Sequence, residues 1–147
     1  MLSRQVTWEK VLIRTMLVVA TLIGLQSTAL ARDLTLAEKK IVADVLRDRL
    51  RDPASAMFKW GPLQGAVKSY DDSSETSIVY CAYVNSRNAY GGFVGDTPFR
   101  VFLVLINDVV AIAAVVGIGG SQIQTDTTYD LCAEDGYDLR YFAGVNR

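Results

Sequence analysis

The stretch Tyr80–Gly95 holds the residue types best suited to recognising another molecule. Asn85 and Asn88 carry amides that donate and accept. Arg87 carries a planar cation whose fork matches a carboxylate or a phosphate. Tyr90 and Phe93 flank Gly91-Gly92, a pair free to take positive φ and to let a partner approach the backbone. A loop so composed suits a polar ligand or a protein edge. The same residues also make a plain connection, in which Asn side chains satisfy turn amides and aromatics cap the core. Both readings stand at the level of sequence. Asn85, Arg87, Asn88, Tyr90, Gly91, Gly92 and Phe93 form the candidate binding set.

Other chemistry is poorly provided for. Histidine is absent from all 147 residues. That removes Ser-His-Asp and Cys-His schemes, His general catalysis and His-ligated metals. Two cysteines cannot by themselves build a four-thiolate zinc site or an iron–sulfur cluster. Asp71 and Asp72 are adjacent, which on a strand sends them to opposite faces. Asp126, Asp130, Glu134, Asp135 and Asp138 make an acidic C-terminal region without the Gly-centred loop of a calcium site. Gly117-x-Gly119-Gly120 lacks the βαβ setting of a dinucleotide fingerprint. The expectation is a protein that is not an enzyme, with no metal and no cofactor. A net charge of −1 speaks against a nucleic-acid partner, which needs a basic face.

The loop needs a scaffold and a compartment. Residues 1–31 read as an export signal. Arg4, Lys10 and Arg14 make a positive start, Met16 to Leu25 is an uncharged apolar run, and Ala29-Leu30-Ala31 is a small-x-small cleavage site. The run is about half of the ~20 residues a spanning helix needs; if the signal is kept, it is a membrane anchor. Three of the 15 basic and one of the 16 acidic residues fall in this segment. Residues 32–147 then form a single domain of net charge −3, long enough to bury a core. In an oxidising compartment Cys81 and Cys132 pair as a disulfide; in a reducing one they stay two buried thiols.

Thr35-Leu36-Ala37-Glu38 has the form of a capping box. Ile41, Val42, Val45, Leu46 and Leu50 follow at helical spacing, and Pro53 ends the pattern. Thr35 to about Arg51 is therefore expected to be an amphipathic helix. Strands are expected at Ala56–Trp60, Gly65–Tyr70, Thr76–Val84, Phe99–Ile106 and Val109–Val116. Asp71–Ser74 is a polar turn, and Asn107-Asp108 is the turn of a hairpin. The hairpin strands are apolar at successive positions, which predicts cover on both faces. Ser121–Thr128 reads as loop, and Asp138–Ala143 as an edge strand. The fold class is α+β: one N-terminal amphipathic helix packed on an antiparallel sheet of four to five strands.

Two stretches resemble a group of small exported bacterial proteins without an assigned reaction. The first is Leu50-Arg51-Asp52-Pro53-Ala54-Ser55-Ala56-Met57-Phe58, against Leu-x-Asp-Pro-x-Ser-x-x-Phe. The second runs from Cys81 to Gly95, against Cys-Gly-x-Val-Asn-x-Lys-Asn-x-Tyr-Gly-Gly-Tyr-x-Gly, and leads to Thr97-Pro98-Phe99. Ala82 stands where Gly is usual, and Arg87 stands where Lys is usual. The second change keeps the cation. The resemblance spans about Leu34–Val104 and implies a small exported domain with no catalytic residue.

The combined reading is a periplasmic or secreted interaction or ligand-binding module, accessory to an envelope or secretion system. Its partner is an envelope protein or a small polar ligand, and it meets a membrane only through an uncleaved signal. The alternative is an inhibitor of a cell-wall hydrolase such as lysozyme; the acidic domain would help encounter with so basic an enzyme. If the signal is cleaved after Ala31, mass spectrometry of the exported protein will find Arg32 at its N-terminus. A Met1 N-terminus in the envelope fraction would show that the segment is retained.

Overall fold

The computed structural model describes residues 31–64, 68–69 and 75–142. The expected signal segment up to Leu30, the expected Asp71–Ser74 turn and most of the expected Gly65–Tyr70 strand lie outside them. Helix α1 is Leu36–Arg47, β1 Met57–Lys59, β2 Lys68–Ser69, β3 Glu75–Asn85, β4 Thr97–Ile106 and β5 Val109–Ile118. Helix α2 is Gln122–Glu134, and α3 is the single turn Leu139–Phe142. The strands form one antiparallel sheet in the order β1-β3-β4-β5, with β2 also pairing β3. The chain is thus α+β, and among the described residues two helices are longer than a turn.

Each element follows from local chemistry. The Thr35 hydroxyl accepts from the Glu38 amide, and the Glu38 carboxylate accepts from the Thr35 amide. The helix ends six residues before Pro53, whose own turn Pro53–Ser55 is 3₁₀. β3 and β4 pair over ten positions, from Glu75↔Ile106 to Val84↔Thr97. Asn107 and Asp108 join β4 to β5 with φ of 52° and 62°. Both values are left-handed, which suits the two-residue turn that matches strand twist, and Asn and Asp tolerate them best.

One sheet face carries the main core. Ile78, Tyr80, Ala82 and Val84 of β3 alternate with Phe99, Val101, Leu103 and Leu105 of β4, all buried. Val42 and Leu46 of α1 belong to the same cluster. Phe58, Trp60, Tyr80 and Phe99 add ring contacts at 5.0–6.5 Å. Lys39 lies 5.9 Å from the centre of the Trp60 ring. Burial pushes the Tyr80 and Tyr83 hydroxyls well above the usual phenol range.

The other face is held by α2. Cys132 bonds Cys81 across 51 residues of sequence with Cα atoms 6.0 Å apart, and both residues are buried. Closing that loop contributes about 4 kcal/mol on the chain-entropy model. The Arg100 guanidinium donates to Asp135 at 2.7 Å, and the Tyr83 hydroxyl donates to the Leu139 carbonyl.

Three expectations need correction here. Ser121–Thr128 is not a loop but the start of α2, with the Ser121 hydroxyl accepting from the Gln124 amide and the Gln124 side chain accepting from the Ser121 amide. Its apolar residues follow no helical period, because a disulfide and an ion pair hold it rather than an apolar stripe. The segment after Asp138 is the helical turn α3, not an edge strand. The β4–β5 hairpin is not covered on both faces. The disulfide and the Arg100–Asp135 pair draw α2 to one end of the sheet, and Phe102, Ile106, Val109, Ile112 and Val116 stay exposed.

Glu38 joins the parts together. Its side chain is 1% exposed and takes two bonds from the Arg32 guanidinium, at 2.7 and 2.9 Å. It also accepts from the Val110 amide at 2.9 Å and the Thr35 amide at 2.8 Å. Arg32 chiefly, with these amides, holds the carboxyl at a pKa of about 2 against the opposing effect of burial. A depressed carboxylate stabilises the fold above its ordinary pKa, near 4.5, and that stability drains as pH falls toward about 2. The shift corresponds to about 3 kcal/mol. Glu38→Gln should therefore lose about 2–3 kcal/mol at pH 7 in urea unfolding. At pH 2 the two proteins should differ far less; an equal gap at both values would show that the carboxylate charge is not what matters.

Candidate functional site

The segment between β3 and β4 is a narrow exposed hairpin that satisfies itself. Arg87 and Phe93 form an antiparallel bridge. The Asn88 amide donates to the Gly92 carbonyl at 2.8 Å, and the Val94 amide donates to Ser86 at 3.2 Å. The Asn88 side-chain oxygen accepts from the Tyr90 and Gly92 amides at 2.9 and 3.1 Å. The Asn85 oxygen accepts from the Gly95 amide at 3.1 Å. Both asparagines thus spend their carbonyl oxygens on turn amides, the plain-connection role left open in the sequence.

Arg87, Tyr90 and Phe93 are placed differently. The Arg87 guanidinium lies 5.1 Å from the centre of the Phe93 ring. Among the described residues no carboxylate pairs with it. Tyr90 is 97% exposed, and Phe93 is 49% exposed. Val94 and Met57 are also exposed, and Met57 is in register with Asn85 at the base of the hairpin. Sequence reasoning missed those two. Met57 had no signal, because only the β1–β3 pairing brings it to the loop.

Gly91-Gly92 behaves as one half of what was expected. Gly91 has φ of +81°, whereas Gly92 is outside the positive region and Gly95, at +90°, takes the second such position. The two resembling stretches meet at this point. The Arg87 amide donates to the Ser55 hydroxyl at 2.8 Å, and that hydroxyl donates to the Asp52 carbonyl at 2.9 Å. The turn after α1 therefore braces the root of the hairpin.

The acidic C-terminal residues do not converge. Asp135 is tied to Arg100, Asp130 to Arg140, and Asp126 accepts from Gln122. Among the described residues no three acidic or thiol side chains gather as a metal site. A cleft beside α2 is lined by Tyr129, Asp130, Tyr137, Asp138 and Arg140. Its cation is already engaged, since Arg140 pairs Asp130 at 3.0 Å and lies over Tyr129. Burial pushes the Tyr137 hydroxyl up to about 12; it donates to the carbonyls of Gln64 and Val79. Among the described residues no helix is long and apolar enough to cross a membrane.

No protein-family model, no curated protein and no solved structure matches this chain.

The turn geometry separates the two glycines. Gly91→Ala forces a side chain into left-handed backbone and should cost about 1–2 kcal/mol. A Cβ on Gly92 meets only Asn88, at 3.8 and 3.9 Å, so Gly92→Ala should stay within about 0.5 kcal/mol. Thermal melts of both variants give the comparison, and a larger loss at Gly92 contradicts this turn.

Proposed function

We propose that the protein is an exported, non-catalytic interaction module whose Arg87–Val94 hairpin docks on an envelope protein. The observation that carries this reading is the hairpin tip. A cation stacked on Phe93 stands beside a fully presented Tyr90, on a turn whose own amides are already satisfied. Tyr and Arg are the residue types that concentrate binding energy at protein interfaces. A preformed turn also loses little conformational freedom on docking. The tip is convex, which favours a protein partner over a small polar ligand, because small ligands are held in concave sites.

Export is supported by the Ala29-Leu30-Ala31 sequence and by the buried Cys81–Cys132 bond, which is the chemistry of an oxidising compartment. We place the protein in the periplasm or outside the cell on that ground. The body of the domain serves as the rigid base, with α1 packed on the sheet and Ser55 bracing the hairpin. The second reading, inhibition of a cell-wall hydrolase, rests on the same convex tip, whose shape suits an enzyme cleft.

Pull-down from an envelope extract tests the first reading. Arg87→Ala should leave the melting temperature within the change expected of a surface charge, about 0.5 kcal/mol. It should weaken capture of the partner by about 1–3 kcal/mol where the cation meets a charged group. Clearance of a cell-wall suspension by lysozyme, with and without the protein, tests the second. If Arg87→Ala melts several degrees lower and keeps every partner, Arg87 is a brace and the hairpin is not the site.

A further inference from the structure

The hairpin at the far end of the sheet leaves a strand without a neighbour. β5 pairs β4 on one side, and on its other side no strand lies among the described residues. Its sequence, Val109–Ile118, holds no charged residue and no proline. Natural edge strands are usually blunted by lysine, proline, shortness or cover; α1 packs on β5 and takes its Val110 amide, and beyond Val110 the strand carries neither lysine nor proline. β5 is ten residues long, an edge of about 34 Å. Val109, Ile112 and Val116 are 50–58% exposed along it, and Phe102 and Ile106 continue the apolar surface onto β4.

We propose that β5 is a dimerisation edge, pairing antiparallel with β5 of a second copy about a two-fold axis. Unpaired backbone amides and carbonyls are completed by another strand, whereas lipid tails offer them nothing. An uncharged edge meets no repulsion from its own copy, while a charged partner strand would bury charges with no counter-ion. Register shifts at Arg100/Val101 and Val104/Leu105 leave Ile112–Val115 as the regular stretch between them, and the two-fold falls there. Pairing stops short of Val110, whose amide already donates to Glu38. Among the described residues, the opposite edge of the sheet holds the short strands β1 and β2. Association therefore closes at two copies rather than running on as a fibre.

One strand pair makes a small interface, below the usual ~800 Å² per partner, so the dimer should dissociate at roughly micromolar concentration. Sedimentation velocity across a dilution series tests this. The sample is the protein isolated from an exporting cell, its N-terminus established by mass spectrometry. Wild type should pass from dimer to monomer, and Ile112→Lys should raise the midpoint at least about tenfold by setting like charges across the axis. Circular dichroism and the intact disulfide check that the variant is folded; if it is not, Val116→Lys takes its place. Hydrogen exchange of the wild-type β5 amides above and below the midpoint gives the same answer without a variant, with protection expected only above it. A wild-type monomer at every concentration overturns the proposal, as does a dimer with no concentration-dependent protection of β5 or one indifferent to the lysine. Monomer that binds vesicles of phosphatidylethanolamine and phosphatidylglycerol overturns it in favour of a lipid surface.

Discussion

A single buried carboxylate ties the N-terminal end of the domain to the far side of its sheet. Glu38 closes the capping box of α1, receives the Arg32 guanidinium and accepts the Val110 amide at the start of β5. A charge this deeply buried is tolerated only when its lone pairs are filled by charge-assisted bonds. Four donors from three parts of the chain meet that requirement. The requirement fixes where α1 sits along β5 and holds Arg32, which also bridges Leu63, against the sheet. Apolar contacts between α1 and the sheet are less directional and would leave that position looser.

The two faces of the sheet are held by different physics. The α1 face is an apolar and aromatic core, in which burial of Tyr80, Phe99 and Leu46 contributes most. The α2 face is anchored by the Cys81–Cys132 disulfide, the Arg100–Asp135 pair and the Tyr83 hydrogen bond, with apolar burial gathered close to them at Tyr137, Leu139 and the Tyr83–Tyr129 ring contact of 6.3 Å. Point anchors do not need a continuous apolar stripe, so α2 covers only the end of the sheet that its anchors reach. The apolar side chains of the β4–β5 hairpin beyond that reach are left to solvent. The exposed strand and the half-covered face are two results of one arrangement.

The β3–β4 hairpin combines internal order with external display. Its asparagines close the turn, and Ser55 fixes its root, so the backbone depends on no partner for its hydrogen bonds. Tyr90, Phe93 and Arg87 are thereby freed to point outward on a defined frame. Such a division, with polar groups turned inward to the backbone and aromatic groups turned outward, is what a low-entropy recognition element requires.

The sequence alone determined what depends on neighbours along the chain. The Thr35–Glu38 capping box, the alternation of β3, the apolar run of β4 and the tight turn at Asn107-Asp108 are all local, and all are legible. So is the region of the candidate site, because its asparagines, glycines and aromatics fall within sixteen residues. Contacts between distant segments were not legible. Glu38 reads as a capping residue, and nothing near it announces Arg32 or Val110 as partners. The first half of α2, up to Thr128, reads as loop because the helix's stabilising groups, Cys81 and Arg100, lie on other strands. Among the site residues, only the tertiary structure decided which face inward and which face outward: Asn85 and Asn88 went to the turn, and Arg87, Tyr90 and Phe93 went to the surface. The reason is physical. Capping and turn preferences are set within a few residues, whereas burial, charge pairing and cover are set by whichever distant segments the chain brings together.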